Sequence, residues 1–84
     1  MNEQQLLMLH KGCSYNRELL MISKICGCFH CLSVFGHQEI RKWTERNNTA
    51  LCPRCEVDAV IGDASHPGLT RGTLEEMHKR WLEK

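Results

Sequence analysis

Two pairs of closely spaced cysteines constrain this chain of 84 residues more than any other feature. Cys28 and Cys31 are separated by two residues, and Cys52 and Cys55 repeat that spacing after an interval of twenty residues. A Cys-x2-Cys segment folded as a tight turn can point both sulfurs at one ion, and two such turns supply a tetrahedral set of four thiolates. The pattern therefore predicts a metal centre formed by these four side chains.

The chemistry of the predicted ligands indicates which metal they would hold. Soft thiolates favour zinc over magnesium and calcium, and four protein ligands leave no coordination position open for water. We therefore predict one structural Zn²⁺ ion per chain. Such an ion contributes on the order of 10 kcal/mol to the folding of zinc-finger peptides, which is comparable with the total stability of many domains.

Three other interpretations of the four cysteines stay open, namely separate buried thiols, disulfide bonds and an iron–sulfur cluster. His30, inside the first cysteine turn, is the strongest alternative to a cysteine as a ligand. The N-terminal sequence MNEQQLLMLHKG lacks the apolar run of a signal peptide, and no run of residues is apolar enough to span a bilayer. We therefore expect a cytoplasmic, reducing location, which favours metal over disulfides.

Hydrophobic periodicity and turn residues predict one α+β domain over residues 1–84. The predicted fold is a small zinc ribbon with two cysteine turns, short antiparallel strands and three to four helices. Helices are expected over about 2–10, 16–24 and 37–46 and from Thr73 onward, and strands within 26–35 and 49–62. Residues 1–12 are expected to form a loosely attached N-terminal helix.

The helix predicted over 16–24 has a polar residue near its start and an apolar face. Ser14 or Asn16 is expected to cap it through a side-chain hydrogen bond. Its expected apolar face consists of Tyr15, Leu19, Ile22 and Cys26.

The other two long helices carry similar signals. Ile40 and Trp43 are expected to face inward from the helix over 37–46. Thr73 and Glu76 fit a capping box at the start of the last helix. The expected apolar stripe of that helix consists of Leu74, Met77 and Trp81.

Five stretches of the chain resemble a family of short proteins from bacteria and their phages, mostly labelled as cytoplasmic or zinc-ribbon-like proteins. They are CGCFHC, EIRKW, ALCPRC, DAVIGD and MHKRWL, and the resemblance covers roughly residues 16–82. It implies zinc at the four paired cysteines and supplies no reaction. The chain departs from the family pattern at Glu56, where relatives often have glycine, and Glu56 would be mildly strained if its φ is positive.

Several residues outside the metal ligands are candidates for contact with a partner. Phe29, His30 and Arg54 lie at the tips of the two cysteine turns, where an exposed aromatic ring beside basic groups could bind nucleic acid. Trp81 is expected to pack in the core, with a role as an interface anchor as the alternative.

Four further residues have both a structural and a chemical interpretation. Cys13 and Cys26 are expected to be small buried residues, and reactive thiols are the alternative. Asp63 is expected to be a turn residue, although Asp63 and His66 could form an acid–base pair. The sequence does not decide these roles.

Charge and motif content favour a binding function over catalysis. The net charge is +1, from 11 basic and 10 acidic residues, and a protein that binds phosphates usually has a clear basic excess. No nucleophile–base pair or phosphate-binding loop stands out. We therefore expect a non-catalytic protein-binding adaptor or regulator. The alternatives are a nucleic-acid-binding regulator that uses the turn tips and a small nuclease-like enzyme.

Overall fold

The computed structural model describes residues 3–64 and 68–81. Within these residues, three α-helices, one 3₁₀ helix and five short strands are present. In chain order they are α1 (Glu3–Lys11), α2 (Arg17–Met21), β1 (Cys26–Cys28), β2 (Val34–Phe35), the 3₁₀ helix (His37–Glu39), β3 (Trp43–Thr44), β4 (Thr49–Ala50), β5 (Val60–Gly62) and α3 (Arg71–Trp81). The predicted small α+β fold with short antiparallel strands is confirmed.

The larger of the two sheets has β1 at its centre, in the order β2-β1-β5, with antiparallel pairing on both sides. Cys26 lies opposite Gly62, and Cys28 lies opposite Val60. All three residues of β1 are buried. Cys28, the first of the four predicted ligands, is therefore the last residue of a strand that is hydrogen-bonded on both edges. β3 and β4 form a separate hairpin that ends two residues before Cys52.

Helix α3 packs on β1 where the strand carries no side chain. A Cβ atom at Gly27 would lie 2.6 Å from Leu74 Cδ1, so any larger residue would displace Leu74. Leu74 and Met77 are fully buried and Trp81 is half-buried, which confirms the predicted apolar stripe of this helix. Helix α1 packs against α3 and buries Leu9.

The start of α3 differs from the prediction. The helix begins at Arg71, and Thr70 rather than Thr73 precedes its first turn. The Thr73 N–H donates to Thr70 Oγ1 at 3.4 Å, and the Thr70 N–H donates to Thr73 Oγ1 at 3.4 Å. The predicted box of Thr73 with Glu76 is therefore wrong, because another threonine three residues earlier forms the reciprocal cap.

The prediction of a helix over residues 37–46 is also wrong. Only the 3₁₀ helix forms there, Ile40 is extended, and β3 begins at Trp43. Glu45, Arg46 and Asn47 all have positive φ, which no right-handed helix permits. Ile40 is buried and Trp43 half-buried, so their inward orientation was predicted correctly. The β3–β4 hairpin returns the chain toward the first cysteine turn, and this tertiary demand outweighs helix propensity.

The apolar face predicted for residues 15–26 is largely exposed. Helix α2 has only five residues, and Tyr15 and Ile22 are 70% and 73% exposed. Leu20 and Ser23 are buried instead. Because the helix is too short to continue the expected spacing to Cys26, that spacing does not define a face.

Asn16 has a different role from the helix cap that the sequence predicts. It makes no capping hydrogen bond, and its side chain is buried between three segments. Its Nδ2 donates to the Gly12 carbonyl at 2.9 Å and to the Val60 carbonyl at 2.8 Å. Its Oδ1 accepts from the Ala50 N–H at 3.2 Å. One amide group therefore satisfies backbone groups that no sheet or helix pairs.

Candidate metal centre

The two cysteine turns, residues 28–31 and 52–55, have the same backbone hydrogen bonds. In the first, the Leu32 N–H donates to the Cys28 carbonyl at 2.8 Å, and the Cys28 N–H donates to the Ser33 carbonyl at 3.0 Å. The second turn repeats both bonds. There the Glu56 N–H donates to the Cys52 carbonyl at 2.9 Å, and the Cys52 N–H donates to the Val57 carbonyl at 3.0 Å.

The residue after each turn adopts a left-handed backbone conformation. Leu32 has φ of 65° and Glu56 has φ of 63°. The sequence predicts mild strain at Glu56 if its φ is positive, and this condition is met, whereas the equivalent strain at Leu32 was not predicted. The Glu56 carboxylate forms an exposed ion pair with Lys42 Nζ, at a distance of 2.8 Å.

The two turns bring the four paired cysteines together. The Sγ atoms of Cys28 and Cys55 lie 3.7 Å apart, those of Cys31 and Cys52 lie 3.6 Å apart, and all four lie within 4.8 Å of one another. Around a tetrahedral ion with metal–sulfur distances of about 2.3 Å, the sulfurs would be about 3.8 Å apart. The cluster has the size and the donor set to hold one metal ion.

The sulfur distances also exclude two of the interpretations that the sequence left open. A disulfide has an S–S distance of about 2.05 Å, and all six cysteines of the chain are free thiols. The disulfide interpretation is therefore wrong, and so is that of four separate buried thiols. His30 is exposed and is not part of the four-sulfur cluster.

Hydrogen-bond donors surround the sulfurs. The Arg54 N–H donates to Cys52 Sγ at 3.3 Å, and the backbone N–H groups of His30 and Cys31 are directed at Cys28 Sγ. Ser33 Oγ lies 3.3 Å from Cys31 Sγ, close enough to donate to a thiolate. Such donors stabilise the negative sulfur that a metal requires.

Burial and hydrogen bonding act in opposite directions on the thiols. Burial raises the pKa of Cys28 and of Cys55. Burial also acts to raise the pKa of Cys31, but hydrogen bonds from Ser33 and from the neighbouring thiols lower that pKa to about 7. Four thiolates in this space would repel one another strongly, so a cation is needed for all of them to be ionised together.

Of the three residues predicted at exposed turn tips, His30 and Arg54 are exposed and Phe29 is not. Phe29 is 4% exposed, so its expected exposure is wrong. Its N–H donates to the Ala59 carbonyl at 3.1 Å, and its own carbonyl lies 2.9 Å from His78 Nδ1 on α3. Arg54 is exposed, and its guanidinium pairs with Glu39 at 3.1 Å. The Phe29 ring is therefore not available for stacking on a base, whereas the His30 ring beside it is exposed.

Trp81 packs within the chain. Its ring lies 4.1 Å from the His10 ring between centroids, and the Arg80 guanidinium carbon lies 4.2 Å from its centroid. Arg80 also pairs with Glu3 on α1, with Nε donating at 2.7 Å. Trp81 therefore joins α1 to α3, as the core-packing interpretation predicts. Its Nε1 is buried without a hydrogen-bond partner in the described part of the chain.

The remaining candidates have structural environments. Cys13 and Cys26 are both buried, and burial, with a smaller contribution from the Asp63 charge, raises the pKa of Cys26 to about 11. Asp63 Oδ1 accepts a hydrogen bond from the Lys24 N–H at 2.9 Å, a long-range structural contact rather than the local turn bond expected of it. His66 lies outside the described residues, so its pairing with Asp63 stays untested.

Fold and site together define a class, which is a small α+β protein with a four-cysteine cluster able to hold a metal ion. The chain matches no protein-family profile, no curated protein and no solved structure. The resemblance to short bacterial and phage proteins therefore stays a prediction. Among the described residues, no helix has both the length and the apolar character needed to cross a bilayer.

Proposed function

We propose that this chain is a non-catalytic protein that holds one structural zinc ion and binds a protein partner as an adaptor or regulator. The observation that carries the proposal is the convergence of four cysteine sulfurs within 4.8 Å. Four thiolates would fill the coordination sphere of zinc and leave no position for a substrate or a reactive water. The centre would then stabilise the fold rather than act as a catalyst.

The donor set and its spacing support zinc as the metal. Thiolates are soft ligands, and tetrahedral sulfur coordination is typical of zinc and of iron–sulfur centres. The hydrogen bonds at Cys31 and Cys52 lower the cost of holding negative sulfurs near one another. Metal analysis of purified protein should give one zinc per chain, and iron with acid-labile sulfide would contradict this assignment.

An exposed apolar surface supports a protein partner. Helix α2 and its flanking residues leave large side chains in contact with solvent, although Leu20 beside them is completely buried. Large apolar side chains that remain in contact with water at neighbouring positions of the chain can mark a protein interface. We call these side chains the α2 surface, and they are Tyr15, Leu19, Met21, Ile22 and Ile25.

Charge gives less support to a nucleic-acid partner. The net charge of +1 supplies little attraction for phosphates, and the burial of Phe29 leaves His30 as the one exposed ring of the first turn tip.

The proposal is tested with zinc-loaded protein, cross-linked in lysate and analysed by mass spectrometry. Wild type and Ile22→Asp are compared, because Ile22 is the most exposed residue of the α2 surface. Met8→Asp is the matched control, since Met8 on α1 is 67% exposed and is not part of that surface. One specific protein should be captured by wild type and Met8→Asp and lost with Ile22→Asp. Retention on a DNA column that salt abolishes, without protein capture, would contradict the proposal.

A further inference from the structure

A second surface feature lies beside the second cysteine turn. It is a cavity of about 370 Å³ that is open to solvent, and its lining residues are Gln38, Glu39, Arg41, Pro53 and Arg54. We call it the knuckle groove. Its volume falls in the range of small-ligand sites, so it can accept one or two amino-acid side chains.

The charges of the knuckle groove are unbalanced. Arg54 donates to Glu39 at 3.1 Å, and both side chains remain about half exposed, at 55% and 49%. Arg41 is exposed and has no ion pair or hydrogen bond with another side chain among residues 3–64 and 68–81. Two basic residues and one acidic residue therefore line the groove, and this excess of positive charge leaves it able to take a second anion.

The chemistry of the lining favours a carboxylate as that anion. A guanidinium presents parallel N–H donors whose spacing matches the two oxygens of a carboxylate. The Arg54–Glu39 pair already joins a guanidinium to a carboxylate inside the groove, through one contact of 3.1 Å. The lining contains no aromatic ring on which a nucleic-acid base could stack.

We propose that the knuckle groove binds an acidic side chain of the protein partner, with Arg41 and Arg54 as the charged donors and Gln38 as a neutral donor. This inference rests on the proposed function, because it assigns the groove to that same partner. Pro53 supplies an apolar wall for the methylenes of an incoming glutamate.

The metal centre positions one of these donors. The Arg54 N–H donates to Cys52 Sγ at 3.3 Å, so the backbone that carries this guanidinium is fixed by a proposed metal ligand. Arg41 lies one residue after the buried Ile40, which holds that side of the groove on the core. Both basic residues are thus attached to rigid parts of the molecule, which lowers the entropy lost on binding.

The test is a titration of zinc-loaded protein with a capped triglutamate peptide, followed by amide chemical shifts in NMR spectra. Shifts should concentrate at Gln38, Arg41 and Arg54. Arg41→Ala should weaken binding about fivefold, as expected for loss of one charged contact at a partly exposed site. Glu39→Gln should tighten binding, because it removes the carboxylate that competes for Arg54. A gain of affinity cannot result from a damaged fold.

The controls separate a specific site from general attraction. A capped triglutamine peptide should bind much more weakly, and Arg71→Ala, at an exposed arginine outside the groove lining, should leave affinity unchanged. Equal binding of triglutamine, unchanged affinity in Arg41→Ala, or tighter binding of inorganic phosphate or oligo-dT would each overturn the inference. Partner capture lost with Ile22→Asp but kept in Arg41→Ala would overturn only the groove and leave the protein-binding function in place.

Discussion

Leu32 and Glu56 occupy equivalent positions, each directly after the second cysteine of a turn, with φ of 65° and 63°. Each donates its N–H to the carbonyl of the first cysteine in its turn, at 2.8 and 2.9 Å. The requirement for a left-handed residue is therefore a property of the turn itself. Glycine adopts this conformation without steric cost, so neither position has its least strained residue.

This equivalence gives a prediction with opposite signs at the two sites. Glu56→Gly should leave the free energy of unfolding unchanged or raise it by up to about 1 kcal/mol, because relief of strain exceeds the loss of a weak exposed ion pair. Leu32→Gly should lower it, since Leu32 also packs against the core. Chemical denaturation of the zinc-loaded proteins measures both. A decrease for Glu56→Gly as large as that for Leu32→Gly would contradict the explanation.

Removal of the metal should unfold the protein. Each of the four clustered cysteines is a proposed ligand, and a structural zinc contributes on the order of 10 kcal/mol in comparable small domains. A strong chelator or Cys52→Ser should therefore abolish the circular dichroism signal of the folded chain. Cys13→Ser is the matched control, because Cys13 is a free thiol outside the cluster. A chain that keeps its structure in chelator would contradict the central role of the metal.

The buried Cys26 thiol should resist alkylation at ordinary pH. Its pKa is raised from 9.0 to about 11, chiefly by burial, so the neutral form persists in the folded state between these values. Reaction with iodoacetamide requires the thiolate. Modification of Cys26 should thus begin only as pH rises toward 11 in folded protein, and near 9 in denaturant. Mass spectrometry of peptides measures this pH dependence. Because the thiol ionises at lower pH in the unfolded chain, the free energy of unfolding should fall as pH rises from 9 to 11.

Asn16 should be the most sensitive polar residue outside the metal centre. Asn16→Ala removes the partners of two carbonyls and one N–H in a buried position. Leaving buried backbone groups unpaired costs about 1–3 kcal/mol each, so a loss of several kcal/mol is expected. Urea denaturation measures it. The exposed Asn48 provides the control, and Asn48→Ala should change stability by less than about 0.5 kcal/mol.

Two neighbouring residues of α1 test how firmly the N-terminal helix is attached. Leu9 is 3% exposed and Met8 is 67% exposed. If α1 is an integral part of the fold, Leu9→Ala should destabilise the protein by about 2–5 kcal/mol, and Met8→Ala should have almost no effect. Thermal unfolding compares the two. A similar, negligible effect of both changes would show that residues 1–12 are loosely attached, as the sequence suggests.

The cysteine pairs made the centre of the fold predictable. Two short motifs with a strict geometric requirement indicated which four side chains converge, because few backbone conformations bring both sulfurs of such a turn to one point. The last helix was predictable for a similar reason, since Leu74, Met77 and Trp81 follow one period over about two turns.

The errors fall where local sequence is weak and tertiary contacts decide. The spacing of Ile40 and Trp43 suits a helix, but the pairing of Trp43 with Ala50 in the β3–β4 hairpin requires an extended backbone there. Asn16 resembles a helix cap in sequence. In the folded chain its side chain instead binds backbone groups of Gly12, Ala50 and Val60. No local pattern records such long-range hydrogen bonds.

The hydrogen bond between His78 and the Phe29 carbonyl attaches the C-terminal helix to the interior of the first cysteine turn. Disorder in that turn would release the helix and change the surroundings of its indole ring, which stacks on His10. The chain thus contains an intrinsic optical sensor. Emission from this tryptophan would follow the state of a metal site to which the ring itself makes no contribution.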